Sequence, residues 1–180
     1  MKSKLITSRF IFITSAILIA SVSRLFPHLP NFTPIAAMAL FGAINLKDKR
    51  IAFILPLLAM FVSDVIIEVT TGFGFHNTMV YVYISFILTS FVGFFVKRNI
   101  NFFTLLAGSI ISSILFFIIT NFGVWAASGF QLGVAGLSTT YILGIPFFAP
   151  TLLGDLCFNA VLFGSFYLAQ IKFPALQRVN

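Results

Sequence analysis

Long apolar stretches alternate with short polar connections along the whole chain, and this rhythm predicts six membrane-spanning helices. The stretches fall at about 10–26, 33–46, 51–69, 78–96, 102–123 and 151–171. A helix needs roughly 20 apolar residues to cross the hydrocarbon core of a bilayer, so most of these stretches are of the right order. A transmembrane β-barrel would show apolar and polar positions in strict alternation. Runs such as Phe53-Ile54-Leu55-Pro56-Leu57-Leu58-Ala59-Met60 do not alternate. The pattern therefore predicts an all-α fold, a single integral membrane domain over residues 1–180.

Two places break the rhythm. The second stretch is short and is opened by Pro34, which the first helical turn accommodates because its missing amide would lack a helical partner there. The connection Pro27-His28-Leu29-Pro30-Asn31 is too rich in proline to be helical. After the fifth stretch comes a Gly/Ser/Thr-rich segment from Ser128 to Thr140, and Pro146 and Pro150 then interrupt the apolar residues that follow Tyr141. These prolines predict an outer half-helix or hairpin over Tyr141–Ala149, followed by the last span. The Pro27–Pro34 and Ser128–Thr140 connections are read as lids.

Composition and charge turn this pattern into a topology. Of the 180 residues, 59% are hydrophobic and 8% charged, whereas soluble domains carry about a quarter charged residues. Alternating six spans puts Lys2, Lys4, Arg9, Lys47, Lys49, Arg50, Lys97, Arg98, Lys172 and Arg178 on one side and Arg24 alone on the other. The positive-inside rule then places both termini in the cytoplasm, in a multi-pass protein of the inner (plasma) membrane. The same clusters account for the net charge of +7, so no nucleic-acid partner is expected. Cleavage of the first stretch as a signal peptide is disfavoured, because its apolar residues continue past Ala20-Ser21-Val22-Ser23 to Phe26. The single Cys157 cannot form an intrachain disulfide.

The remaining polar groups gather at the other side. Asp64 and Glu68 stand four residues apart near the outer end of the third stretch, on one helix face, and Asp155 and Asn159 repeat that spacing in the last. Arg24, His28, Asn31 and Thr33 follow the first stretch. His76 and Asn77 adjoin Gly72-Phe73-Gly74, Asn121 and Trp125 close the fifth stretch, and Tyr141 begins the apolar segment after the glycine-rich connection. An ionisable residue at membrane depth costs roughly 2.5–3.5 kcal/mol on insertion scales, so such a group needs a partner or a function. Arg24 is the natural partner for the carboxylates, with which a guanidinium pairs in a fixed geometry. The residues alone leave two readings open: a pocket that binds a ligand, or a set of locks between helix ends. The two histidines lie in separate connections without metal-ligand spacing, and Ser63 beside Asp64 has no positioned base. The glycines at 72 and 74 lack the spacing and lysine of a phosphate loop. No metal, cofactor or enzymatic activity is expected. Ala16 and Ala20 form a small-xxx-small pattern through which another helix could dock.

The run Arg24-Leu25-Phe26-Pro27-His28-Leu29-Pro30-Asn31-Phe32-Thr33-Pro34-Ile35-Ala36-Ala37-Met38-Ala39-Leu40-Phe41-Gly42-Ala43 resembles the signature of an uncharacterised bacterial six-span membrane family. That family is similar to the substrate-binding S components of energy-coupling-factor (ECF) vitamin transporters. The resemblance extends more loosely through Pro56, Ser63-Asp64, Trp125, Tyr141, Pro146-Phe147-Phe148, Gly154-Asp155 and Leu162-Phe163-Gly164. It implies an S-component-like bundle with a pocket open to the outside, and Arg24, His28, Asn31, Thr33 and Asp64 as pocket candidates. It also implies docking of the first span, through alanines like Ala16 and Ala20, onto a coupling membrane subunit driven by ATPases. The expected function is a substrate-binding subunit for uptake of a small metabolite or vitamin. The alternatives are a self-sufficient proton- or ion-coupled carrier relaying through Asp64, Glu68 and Asp155, and a structural or assembly protein.

Overall fold

The computed structural model describes residues 7–27, 29–128 and 133–177. Among these residues the chain forms six helices: α1 (Ser8–Ser23), α2 (Ile35–Asn45), α3 (Lys49–Thr71), α4 (Met79–Val96), α5 (Phe102–Ala127) and α6 (Gly133–Lys172), with a 3-10 turn at Pro174–Leu176. No strand occurs among the described residues. Local chemistry sets several of the boundaries. Thr7 accepts from the Phe10 amide to start α1, and Asp48 accepts from Arg50 and Ile51 to start α3. Asn101 and Thr104 form a reciprocal capping box on α5. Gly72 ends α3 in the left-handed region, at φ 74°, where a Cβ would be strained.

Helices α3, α4, α5 and α6 are each long and apolar enough to cross a membrane. No more than 39% of the apolar window in any of them is buried inside the chain, and Leu58, Phe95, Ile118 and Leu168 are among the large apolar side chains left exposed. Water would not tolerate so continuous an apolar surface; hydrocarbon would. Helices α1 and α2 have 16 and 11 residues, and at about 1.5 Å per residue α2 covers only about half the hydrocarbon thickness.

α2 occupies the middle of the bundle. All eleven of its residues are buried, and it touches each of the five other helices. A helix apolar on every side is stable only when surrounded, and small residues let its neighbours approach closely. A Cβ added at Gly42 would lie 2.8 Å from Pro56 Cγ of α3, and one at Gly93 of α4 would lie 2.6 Å from Ala43 Cβ. Phe41 meets Phe163 and Phe166 of α6 edge-on.

Charges complement both ends of α2. At its carboxy-terminal end, Lys97 Nζ donates to the carbonyls of Ala43 and Leu46. Arg9 donates to Asn45 Oδ1 at 3.3 Å and to the Leu176 carbonyl at 2.9 Å, with its guanidinium over the Phe166 ring. At the amino-terminal end, Asp155 of α6 accepts from the amides of Ala36 and Ala37. Cations at a helix carboxy terminus and anions at its amino terminus both oppose the macrodipole favourably. Two residues of the basic end, counted above only as topological signals, thus hold the central helix in place. The buried Arg9 and Asn45 also correct the expectation that this half of the bundle lacks polar groups.

The expected break before the last span does not occur. α6 runs 40 residues from Gly133 through Pro146 and Pro150 to Lys172. Its first half lies antiparallel against α5. Trp125 Nε1 donates to the Gly133 carbonyl, Tyr141 Oη donates to the Ile118 carbonyl, and Phe117 packs on Phe148. A proline removes one helical hydrogen bond, but ending a helix in an apolar medium would strand several more groups, so the helix continues. The glycine-rich segment read as a loop is correspondingly shorter: Ser138, Thr139 and Thr140 are helical. Its residues 129–132 lie outside the described residues.

Candidate ligand-binding cavity

The fold has a hollow because its central helix is short. From the Lys97 end, α2 reaches only to the level of Ser113, midway along α5, where Asp155 caps it. Beyond that level α3, α4, α5 and α6 continue around a cavity of about 630 Å³. Ile35, at the start of α2, lies on its floor, together with Pro30, Asn31 and Thr33 of the α1–α2 connection. That connection is held down. Asn31 takes a left-handed conformation, φ 64°, which asparagine tolerates better than most residues. The backbone at Phe32 and Thr33 rests on Gly154 of α6, where a Cβ would come within 3.0 Å of the Thr33 nitrogen. The Phe32 ring packs on Phe158.

Arg24 and Asp64 meet on the cavity wall as an ion pair, Nη2 to Oδ1, at 2.6 Å. The guanidinium side chain is 12% exposed and the carboxylate 4%, so both are largely withdrawn from water. Arg24 Nη1 also donates to Ser63 Oγ and to the Met60 carbonyl, and Asp64 Oδ2 accepts from Tyr83 Oη at 2.8 Å. One cluster thereby joins α1, α3 and α4. A buried pair of this kind is strongly destabilising to break from one side only, because the other charge is left uncompensated.

The other candidates separate into two groups. Asn31, Thr33, His76 and Asn121 line the cavity with Arg24 and Asp64. Glu68, Asn77, Trp125, Tyr141, Asp155 and Asn159 are not on its wall. Glu68 accepts from the Gly74 and Phe75 amides at 2.9 Å each, stapling the α3–α4 connection to α3. Gly74 has to be glycine there, since a Cβ would collide with the α3 backbone at Asp64 and Glu68. Asn77 is exposed. Trp125 and Tyr141 tie α5 to α6. Asp155 does not pair with Arg24: Ser113 and the first amides of α2 occupy it. Asn159 donates to Ser109 Oγ at 2.9 Å. His28 lies outside the described residues. Ala20 is buried in the core and Ala16 is partly buried against it.

The rest of the wall was not among the candidates: Thr78, Met79 and Val82 of α4, Phe116, Phe117, Thr120 and Val124 of α5, and Thr140, Leu143, Gly144, Phe147 and Thr151 of α6. The α5 and α6 sets follow helical spacing, and in α6 that spacing runs unbroken through Pro146 and Pro150. Their chemistry has a definite sense. Thr120, Thr140 and Thr151 each donate to the carbonyl four residues back, and Asn121 Nδ2 donates to the Phe117 carbonyl. A hydroxyl has one proton to give and two lone pairs, so what these threonines offer the cavity is acceptor oxygen. Phe116, Phe117 and Phe147 supply apolar faces.

The sequence model of DUF6580, a family of unknown function, matches residues 4–176. No curated protein and no solved structure matches the chain.

Proposed function

We propose that this chain, which belongs to the DUF6580 family of unknown function, is a substrate-binding membrane subunit for uptake of a small metabolite or vitamin. The observation that carries this reading is the cavity left beyond α2, at the end of the bundle opposite Arg9 and Lys97. Its volume of about 630 Å³ falls within the roughly 300–1,000 Å³ of small-molecule sites, and its mix of apolar walls with a few polar groups is typical of them. With the basic end cytoplasmic by the positive-inside rule, the cavity faces outside and its floor is plugged by α2. This is the arrangement of a capture device, and it suits a bundle like those of ECF S components. The sequence has no phosphate loop, so energy for release to the inside would come from a coupling membrane subunit and ATPases.

The self-sufficient carrier draws little support. Asp64, Glu68 and Asp155 are engaged respectively by Arg24, by the α3–α4 connection and by α2. They form no continuous relay. A thermal-shift screen of vitamins, nucleobases, amino acids and metal ions on the solubilised protein tests the proposal. A stabilising compound whose effect disappears in Thr151→Trp, which fills the cavity, supports it. A compound that stabilises both proteins equally binds elsewhere and counts against it. Co-purification with an ATPase module supports a subunit, and gradient-driven uptake by the single chain in vesicles supports a carrier.

A further inference from the structure

The charged side chains on the described walls of the cavity are paired with each other, and this bears on what it can hold. Among the described lining residues, the one guanidinium and the one carboxylate, Arg24 and Asp64, already neutralise each other at 2.6 Å. The first amides of α2 in the floor, at Ala36 and Ala37, are already taken from behind by Asp155. Among the described lining residues, an anion entering would find no free guanidinium or ammonium and no free amide at the start of α2, only the uncapped first turn of α4 at Thr78 and Met79. It would also meet the acceptor oxygens of Thr120, Thr140 and Thr151, whose protons are committed to backbone carbonyls. A cation would find those oxygens but no unpaired carboxylate to balance it, and an isolated charge in a desolvated site is costly. His76, at the wall with Nδ1 against Thr78 Oγ1, is the remaining titratable group among the described lining residues.

We propose that the cavity selects an uncharged ligand, held by apolar contact with Phe116, Phe117 and Phe147 and by hydrogen bonds given to threonine and asparagine oxygens. This deepens the capture reading and rests on it. The role of Arg24 and Asp64 is then to shape the wall and to keep their charges from the ligand.

The test uses the full-length chain with Cys157→Ser and Thr120→Cys, purified in detergent. Modification of the new thiol is timed with three methanethiosulfonates of similar size: neutral hydroxyethyl, anionic sulfonatoethyl and cationic trimethylammonioethyl. Each rate is divided by that reagent's rate with a free small thiol. The same buffer is used for all three reagents. The expected result is that the neutral reagent reacts fastest, with the two charged reagents slower and within about threefold of each other, as for a wall without net charge. Asp64→Asn, which frees Arg24, then raises the anionic over the cationic rate by about tenfold or more, the effect of one uncompensated charge in a narrow cleft. Arg24→Gln shifts the ratio the opposite way. A Thr120→Cys protein that already reacts fastest with a charged reagent overturns the proposal, and this comparison decides even if neither charge variant folds. If no reagent reaches position 120 while Asn77→Cys, an exposed control, is modified by all three, the cavity is closed and the capture reading itself fails.

Discussion

Arg24→Met offers the sharpest separation of a structural arginine from a ligand-binding one. The substitution keeps an unbranched apolar stem but removes the ion pair to Asp64 and the bonds to Ser63 and the Met60 carbonyl. Asp64, 4% exposed, is left with Tyr83 as its partner. Breaking a buried pair from one side costs about 3–5 kcal/mol, and the 12% exposure of Arg24 places this case at the lower end, about 3 kcal/mol. For a chain of this size each kcal/mol moves Tm by about 2–4 °C, so the variant should melt about 6–12 °C lower without any ligand. Asp64→Leu alone should cost a similar amount. The double variant leaves no stranded charge and mainly an unpaired Tyr83 hydroxyl, a loss of about 1–2 kcal/mol. It should therefore be more stable than either single variant. The assay is a double-mutant cycle by thermal or denaturant unfolding in one detergent. Additive losses, or an Arg24→Met protein that melts with the parent, would refute the reasoning and return Arg24 to the ligand.

Three further outcomes follow from the geometry around α2 and α3. Lys97→Met removes the cation from the last carbonyls of α2 and should cost about 1–2 kcal/mol in the same melt; an unchanged melt would mean that the contact contributes nothing. Gly93→Ala places a methyl 2.6 Å from Ala43 Cβ and should destabilise by about 1–3 kcal/mol, part of which Ala43→Gly in the same chain restores. Gly74→Ala forces the α3–α4 connection off the α3 backbone and away from Glu68. It should speed proteolysis between Thr71 and Thr78 while leaving global melting almost unchanged, because such a connection opens locally.

Much of the helical framework was legible in the sequence because long apolar runs between polar connections admit few alternatives in a membrane. Five of the six predicted segments end within a few residues of a helix. The exception was set by Pro146 and Pro150. In water two prolines so close usually end a helix, but here the flanking turns stay packed on α5 and the surrounding medium offers no substitute for lost backbone bonds. The same misreading hid the cavity wall from Thr140 to Thr151. The Arg24–Asp64 pair could be foreseen because so few charges lie at that end. The bond from Asp155 to the start of α2 could not, since it joins residues far apart in sequence and depends on how far α2 extends. One clue was present: Ile35–Ile44 carries no polar residue on any face, the mark of a helix surrounded by protein or lipid.

Capture from outside requires the cavity end to lie outside and the Lys97 end inside. Single cysteines introduced at Asn77 and at Gln177, in a Cys157→Ser background, can be treated in intact cells with a membrane-impermeant maleimide. Labelling at position 77 with protection at position 177 until the cells are opened is the predicted result. Labelling at 177 with protection at 77 would turn the cavity towards the cytoplasm and contradict capture from outside.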